Sequence, residues 1–327
     1  MIVVTGANGL LGSHLLRRLV SENVPAIGVK KPNSETAIAK DLAAIEWREA
    51  DLLDVEALTE ALRGATTVIH SAALVTFNPR SRKNILDVNE NGTKNIVNAC
   101  LALGVQHLIH VSSVAAIGRQ KNVRHINEES KWQSGELNTD YALSKHLAEL
   151  EVWRGHEEGL KVAIINPSVI LAPFHQNKSS AQLFRYVMQE KKIYTDGHIN
   201  YVDVRDVVEM IWQIHAQKID GERFIANGGQ TSFKNLFEQI ASRLNKKPPS
   251  LKLPVRWLTA LAFAEEWRSR ITGKEPLISR QSAKSVRETF HYSNKKTLQK
   301  LGIQFQTLEN TLDWCCAHYS STYTTNI

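Results

Sequence analysis

The chain has 327 residues, 43% of them hydrophobic and 22% charged, with a formal net charge of +7. That composition describes a globular protein with a sizeable core and excludes a disordered or fibrous chain. No apolar run reaches the ~18 residues that a membrane span needs; the best candidate, Trp257 to Ala264, runs straight into Glu265, Glu266 and Arg268.

Short β-branched runs alternate with longer helical patterns through the first half, the signature of a parallel sheet covered by helices. Ile2 to Thr5 reads as a first strand that ends in glycines. Leu11, Leu15, Leu16 and Leu19 then recur at helical spacing. Ala26 to Val29 and Ile45 to Trp47 read as strands two and three, and Asp54 is a candidate N-cap for a helix over Val55 to Leu62. Strand four is Thr67 to His70, followed by a helix from Gly92 to Leu103 and strand five at Leu108 to Ser112. A helix over Tyr141 to Trp153 leads to strand six, Val162 to Ile165, which Pro167 stops.

Beyond Pro167 the regularity breaks. Ala172 to Ser180 reads as loop, Ala181 to Gln189 as helix and Ile199 to Val204 as a short strand. Asp206 is expected to cap a helix over Val207 to Ala216, and Arg223 to Ile225 adds a strand before helices separated by Pro-containing loops. The expected fold class is α/β: a doubly wound parallel sheet followed by a smaller, mainly helical part. The expected domains are a nucleotide-binding part, 1–171 with 201–228 returning to it, and a substrate-binding part, 172–200 with 229–327.

The basic residues are scattered and form no nucleic-acid module, so neither nucleic acid nor membrane is expected as a partner. Cys100, Cys315 and Cys316 offer no disulfide framework and no metal spacing. His107 and His110 sit three apart on a strand, on opposite faces, so they cannot chelate one metal. No metal is expected, and a reducing cytoplasm is the expected compartment.

The turn after strand one carries the first chemistry. In Gly6-Ala7-Asn8-Gly9-Leu10-Leu11-Gly12, one glycine permits positive φ, the next lets backbone approach a pyrophosphate, and the last lets helix pack on strand. The helix N-terminus then offers free N–H groups to the anion. Glycine triplets alone are weak, but here the required strand-turn-helix context is present. Strand two ends at Val29-Lys30-Lys31-Pro32, with no acid until Glu35. An acid there would hold a ribose 2′-OH, whereas a cation suits a 2′-phosphate. Lys30 and Lys31 therefore favour NADP(H), while NAD(H) stays open because lysines are common on solvated loops.

Tyr141 and Lys145 stand at i, i+4 on one helix face. A nearby ammonium is expected to lower the phenol's ordinary pKa of about 10, so that it exchanges protons near neutrality. Ser112 and Ser113 fall at the carboxyl end of strand five, where a hydroxyl can bond a carbonyl substrate. The same spacing recurs at Tyr292 and Lys296, which lack a strand-end serine and read as surface.

Together, Thr5 to Gly12, Ser113 and Tyr141-x-x-x-Lys145 resemble an extended short-chain dehydrogenase/reductase. Within it, Ala73 to Pro79 and the tail around Lys296 to Trp314 look closest to the dihydroflavonol reductase and 3β-hydroxysteroid dehydrogenase branch. The resemblance selects Ser113 over Ser112 as the active hydroxyl, because it lies five residues before Gly118. It implies catalysis by Ser113, Tyr141 and Lys145. It implies cofactor contacts from Asp51 and Leu52 to adenine, from Ala72 and Ala73 after strand four, and from Pro167, Ser168 and Val169 against the nicotinamide. Asn89, in Val88 to Asn95, is implied as support on the cofactor side. The implied activity is NADP(H)-dependent reduction of a small-molecule carbonyl, or oxidation of the alcohol. Open alternatives are a nucleotide-sugar epimerase or dehydratase with tightly bound NAD and a non-enzymatic NADP(H) sensor. A homodimer through the helices near Gly92 to Leu103 and Tyr141 to Trp153 is implied as well. Phe77 is a candidate substrate contact, equally readable as a core aromatic, and the substrate itself is not named by any motif.

Overall fold

The alternating runs fold into a seven-stranded, fully parallel sheet in a computed structural model that describes residues 1–35, 42, 45–76, 78–121, 123–173, 180–272 and 288–324. In chain order the first half contains β1 (Ile2–Thr5), α1 (Leu10–Ser21), β2 (Ala26–Lys30), β3 (Glu46–Glu49), α2 (Val55–Ala61) and β4 (Thr67–His70). There follow α3 (Arg82–Leu86), α4 (Gly92–Leu103), β5 (His107–Val111), β6 (His125–Ile126), α5 (Asp140–Glu157), β7 (Lys161–Pro167) and β8 (Val169–Leu171). The second half adds α6 (Ala181–Met188), β9 (Ile193–Thr195), β10 (His198–Asp203), α7 (Val204–Ala216), β11 (Glu222–Ala226), β12 (Gly229–Ser232) and α8 (Phe233–Leu244). It closes with β13 (Leu251–Leu253), α9 (Val255–Thr272), β14 (His291–Tyr292), α10 (Lys295–Leu301) and α11 (Leu308–Thr324).

The sheet runs β3-β2-β1-β4-β5-β7-β11. Strand order therefore reverses between β1 and β4, which opens a crevice beyond their carboxyl ends, where open α/β sheets bind ligands. Thr5 pairs with Val29 on one side and His70 on the other. Alternation along each strand sends side chains to two cores. Ile2 and Val4 pack with Leu15 and Leu16 of α1 and Val207 and Ile211 of α7. Val3 faces the opposite way, among Leu58 of α2, Ile96 and Val97 of α4 and Val152 of α5. The two cores, one on each face of the sheet, follow from this period-two pattern.

The first core continues through Phe184 of α6, Phe237 of α8 and Leu312, Cys315 and Cys316 of α11. The Trp314-Cys315-Cys316 segment is thus packing, and all three cysteines are free and buried. A three-stranded sheet β12-β10-β8 and the pairs β9-β13 and β6-β14 complete the second half. No described helix is long and apolar enough to cross a membrane.

Three local expectations change. Helix α7 begins at Val204 and is capped by Asp203, whose carboxylate accepts from Arg205 N at 2.8 Å; Asp206 lies inside the first turn and accepts from Gln306 N at 3.0 Å. The acid that caps is the one with extended backbone, at φ −72° and ψ 139°. Strand β7 continues through Pro167, which can end a strand because it still offers its carbonyl. Tyr292 is buried in a small core with Phe290 and Ile225, not on the surface, and lies on β14 while Lys296 lies on α10.

Candidate active site

The glycine turn is built as its composition requires. Gly6 has φ +65°, and a Cβ there would lie 2.7 Å from the Ala72 Cα, so the turn presses directly on the end of β4. A Cβ at Gly12 would overlap the Gly6 carbonyl and lie 2.7 Å from the Ala7 Cα. Leu10 and Leu11 bury their side chains in the core. As at any helix start, the first N–H groups of α1 have no acceptors within the helix, and Gly9 supplies no side chain to cap them. Asn8 spans the crevice rim, donating to Ser34 Oγ at 3.0 Å and the Glu35 carbonyl at 2.9 Å.

The two lysines after β2 are engaged within the chain. Lys30 Nζ lies 2.7 Å from Glu49 Oε1 and 3.0 Å from the Ser34 carbonyl. Lys31 is exposed and sits 2.9 Å from Asp51 Oδ2. Asp51 also accepts from Leu53 N at 3.0 Å, and both contacts hold its pKa below the ordinary carboxylate value. The Leu52 carbonyl accepts from Asn95 Nδ2 at 2.9 Å, which ties this loop to α4.

Beyond β4, Ala72 and Ala73 follow a stitched strand end. His70 bonds Thr5 Oγ1 through Nδ1 at 2.7 Å and Thr93 Oγ1 through Nε2 at 3.1 Å. Burial pushes its pKa down to about 3, so it stays neutral. Asn89 acts as a clamp: its amide accepts from Leu74 N at 2.7 Å, donates to the Leu74 carbonyl at 2.9 Å and donates to Ser144 Oγ at 2.9 Å. It sits in a π turn at residues 87–91, which joins α3 to α4 and was not predicted. Phe77 lies outside the described residues.

Ser113 and Tyr141 meet. The Ser113 hydroxyl is hydrogen-bonded to the Tyr141 phenol and accepts from Ala115 N at 3.2 Å, whereas Ser112 Oγ is buried with no partner among the described residues. Gly118, five residues on, has φ +87° and turns the chain beneath Trp132. Thr139 caps α5, accepting from Ala142 N at 3.1 Å, and so fixes the helix that carries Tyr141 and Lys145. Lys145 is 2% exposed and donates to the Val111 carbonyl at 3.0 Å. Burial brings its pKa down to about 8, against the opposing influence of Glu149. The lowered phenol expected from the sequence is absent in this arrangement. Burial raises Tyr141 above its ordinary value, and the Ser113 hydrogen bond offsets only part of the rise. A phenol held protonated is a proton donor.

Pro167 and Ser168 are buried at the end of β7, and Val169 is 40% exposed. Ser168 Oγ has no partner among the described residues. Sequence reasoning missed Glu149, which is fully buried and bonded to Asn166 and Arg223. Its signal was present: an acid one helical turn beyond Lys145, on the face that carries Tyr141 and Lys145. His110 was also passed over as a group facing Lys145, for its pKa is pushed well below normal by burial and by that lysine. His107, on the other face of β5, has its pKa lowered mainly by burial, with the Ile219 backbone opposing the shift. Among the described residues no group of three or more His, Cys, Asp or Glu side chains could hold a metal ion.

A tight turn whose glycines leave no room for a Cβ against its own backbone, the helix N-terminus that follows it, and the orphaned hydroxyls of Ser112 and Ser168 at the carboxyl ends of β5 and β7 fit a dinucleotide. With the Ser113-Tyr141-Lys145 set this defines an enzyme of the extended short-chain dehydrogenase/reductase type. The chain belongs to the NAD dependent epimerase/dehydratase family, whose model matches residues 2–226. It is 27% identical to sterol demethylase protein B of Methylococcus capsulatus, over 81% of this chain and 80% of that relative. It is 24% identical to a dihydroflavonol 4-reductase-like protein of Synechocystis, over 94% of this chain and 91% of that relative. The fold matches the UDP-glucose 4-epimerase of Thermotoga maritima with a TM-score of 0.80 and 19% identity, covering 98% of this chain and 99% of that one.

Proposed function

We propose that this enzyme is an NADP(H)-dependent reductase of a small-molecule carbonyl, working in the reverse direction on the alcohol. The observation that carries the reading is the Ser113-Tyr141 hydrogen bond, with Lys145 one turn along the same helix face, buried and bonded to the Val111 carbonyl at the end of β5. When bound, the dinucleotide supplies or accepts the hydride. Its pyrophosphate would be held by the backbone of Gly6, Gly9, Leu10, Leu11 and Gly12, with Asn8 on the rim. Asp51 and Leu52 would face the adenine, Lys30 and Lys31 the ribose 2′-phosphate, and Ala72, Ala73, Asn89, Pro167, Ser168 and Val169 the nicotinamide half.

Ser113 would orient the substrate carbonyl, and Tyr141 would give its proton to the carbonyl oxygen as that oxygen gains charge. Lys145 would bind the nicotinamide ribose and stabilise the phenolate left behind. NADP(H) is favoured because β2 ends on Lys30 and carries no acid to bond a 2′-OH. A dianionic 2′-phosphate would compete with the single carboxylates of Glu49 and Asp51 for the two ammonium groups.

The division into a nucleotide-binding part, 1–171 with 201–228, and a substrate-binding part, 172–200 with 229–327, belongs to this proposal. So does a homodimer through α4 and α5. The test is NADPH and NADH oxidation against ketones, aldehydes, dihydroflavonol-like and steroid-like carbonyls. Turnover that prefers NADPH supports the reading. Silence across the panel, with NAD co-purifying, would overturn it in favour of a nucleotide-sugar epimerase or dehydratase.

A further inference from the structure

One helical turn beyond Lys145, Glu149 is fully buried in the sheet-facing side of α5. Its two oxygens serve different neighbours. Oε1 accepts from Asn166 Nδ2 at 2.5 Å, and Oε2 is ion-paired with Arg223 Nη2 from β11. Asn166 spends its second amide hydrogen on the Ser113 carbonyl, at 2.8 Å. Two acceptors on one nitrogen fix the amide's orientation, because a flipped Asn166 would turn its oxygen towards a carboxylate. A continuous chain thus runs from Arg223 through Glu149 and Asn166 to the backbone of Ser113, whose hydroxyl meets Tyr141.

A buried carboxylate is costly unless paired, and a structural pair in this core could be replaced by apolar side chains at little loss. Here the pair leans on both ends of the reacting set. The charged and titratable groups around Lys145 and Glu149 are Tyr141 and His146 on α5, His110 on β5, His70 on β4 and Arg223 on β11; burial lowers the pKa of His146 as well. His70 and His110 are held neutral by burial, which leaves Glu149 as the anion among them.

We propose that Glu149 is a positioning residue for the Ser-Tyr-Lys chemistry: through Asn166 it locks the Ser113 backbone, and it supplies the buried anion on the helix face that carries Lys145. The role rests on the reductase reading for its kinetic consequence, but its electrostatic part is measurable without activity. An opposite charge one helical turn away on the same face raises an ammonium's pKa, by about one pH unit or more where the two groups lie within about 4–6 Å.

The experiment is a titration of protein labelled with [13Cε]lysine, with the Lys145 resonance assigned from a Lys145→Met sample, on the wild type and Glu149→Gln. Lys145 should titrate near pH 8 in the wild type and about one pH unit lower in the variant. An unchanged Lys145 midpoint would overturn the proposal. Should Glu149→Gln fail to fold, Glu149→Asp, which retracts the charge by a methylene, should give a smaller downward shift; no shift there overturns it equally. If the wild type reduces carbonyls, Glu149→Gln should lower kcat about tenfold with KM nearly unchanged, and its alkaline limb should fall at lower pH. A uniform loss at every pH with the limb in place would mark Glu149 as merely structural. Absence of wild-type reduction would sink the reductase reading alone and leave the titration decisive.

Discussion

At Gly12 a Cβ would lie 2.7 Å from the Ala7 Cα and would overlap the Gly6 carbonyl, so no side chain fits without moving the turn. Gly12→Val is therefore expected to weaken dinucleotide binding at least tenfold and to lower the melting temperature, measured by calorimetry and thermal unfolding. Wild-type affinity in that variant would show that the turn does not cradle the pyrophosphate. This residue was legible in the sequence because strand, glycines and helix follow one another without interruption. Tyr141 and Lys145 were legible for a similar reason, since helical spacing puts them on one face. The electrostatics were not. The sequence suggested a phenol acidified by its lysine, but how deeply each group is buried depends on strands β4, β5 and β7, distant in the chain. Asn166 and Arg223 converge on Glu149 from 17 and 74 residues away, a meeting that no local spacing announces.

The ends of elements divide the legible from the illegible in the same way. Asp54 was read correctly as a cap, and it accepts from Ala57 N at 3.0 Å. Between Asp203 and Asp206, each three or fewer residues from an apolar run, the choice depended on where β10 ends. Its pairing through Asp203 with Leu171 keeps that acid extended and gives it the cap. Asp203 is fully buried and also binds the Arg205 guanidinium at 2.7 Å. Asp203→Ala should cost about 2 kcal/mol, from the lost cap and the lost charged hydrogen bond together. Asp203→Asn, which keeps a capping oxygen, should cost about half as much. Urea unfolding of both variants measures this, and equal losses would mean that the cap contributes nothing. Helix α5 was placed to within a turn, but the π turn before α4 was not, since nothing in Asp87 to Asn91 departs from helical composition.

On the scale of the whole molecule, the doubly wound sheet was readable because short β-branched runs alternate with helical patterns through the first half, and the two cores follow from the alternation of side chains along each strand. The second half was less so, because its short strands pair across long separations and its helices fold back onto the first core. One such tie is Asp206, which holds the backbone of Gln306 and whose pKa burial raises to about 7. A carboxyl with a raised folded-state pKa favours the native protein below its unfolded value near 4, and that advantage is lost as pH rises towards 7. Asp206→Asn should therefore gain melting temperature over the wild type progressively between pH 4 and pH 7, then hold a constant margin. A margin independent of pH would mean that folding leaves the Asp206 pKa unchanged. The central claim is that Tyr141 gives the proton that completes carbonyl reduction, and it is tested most directly by comparing the wild type with Tyr141→Phe in single-turnover NADPH oxidation with a carbonyl substrate that the wild type accepts. The account predicts a loss of about a thousandfold or more in the reductive rate, with NADPH affinity within about twofold of the wild type. A variant that reduces the carbonyl at the wild-type rate would contradict it.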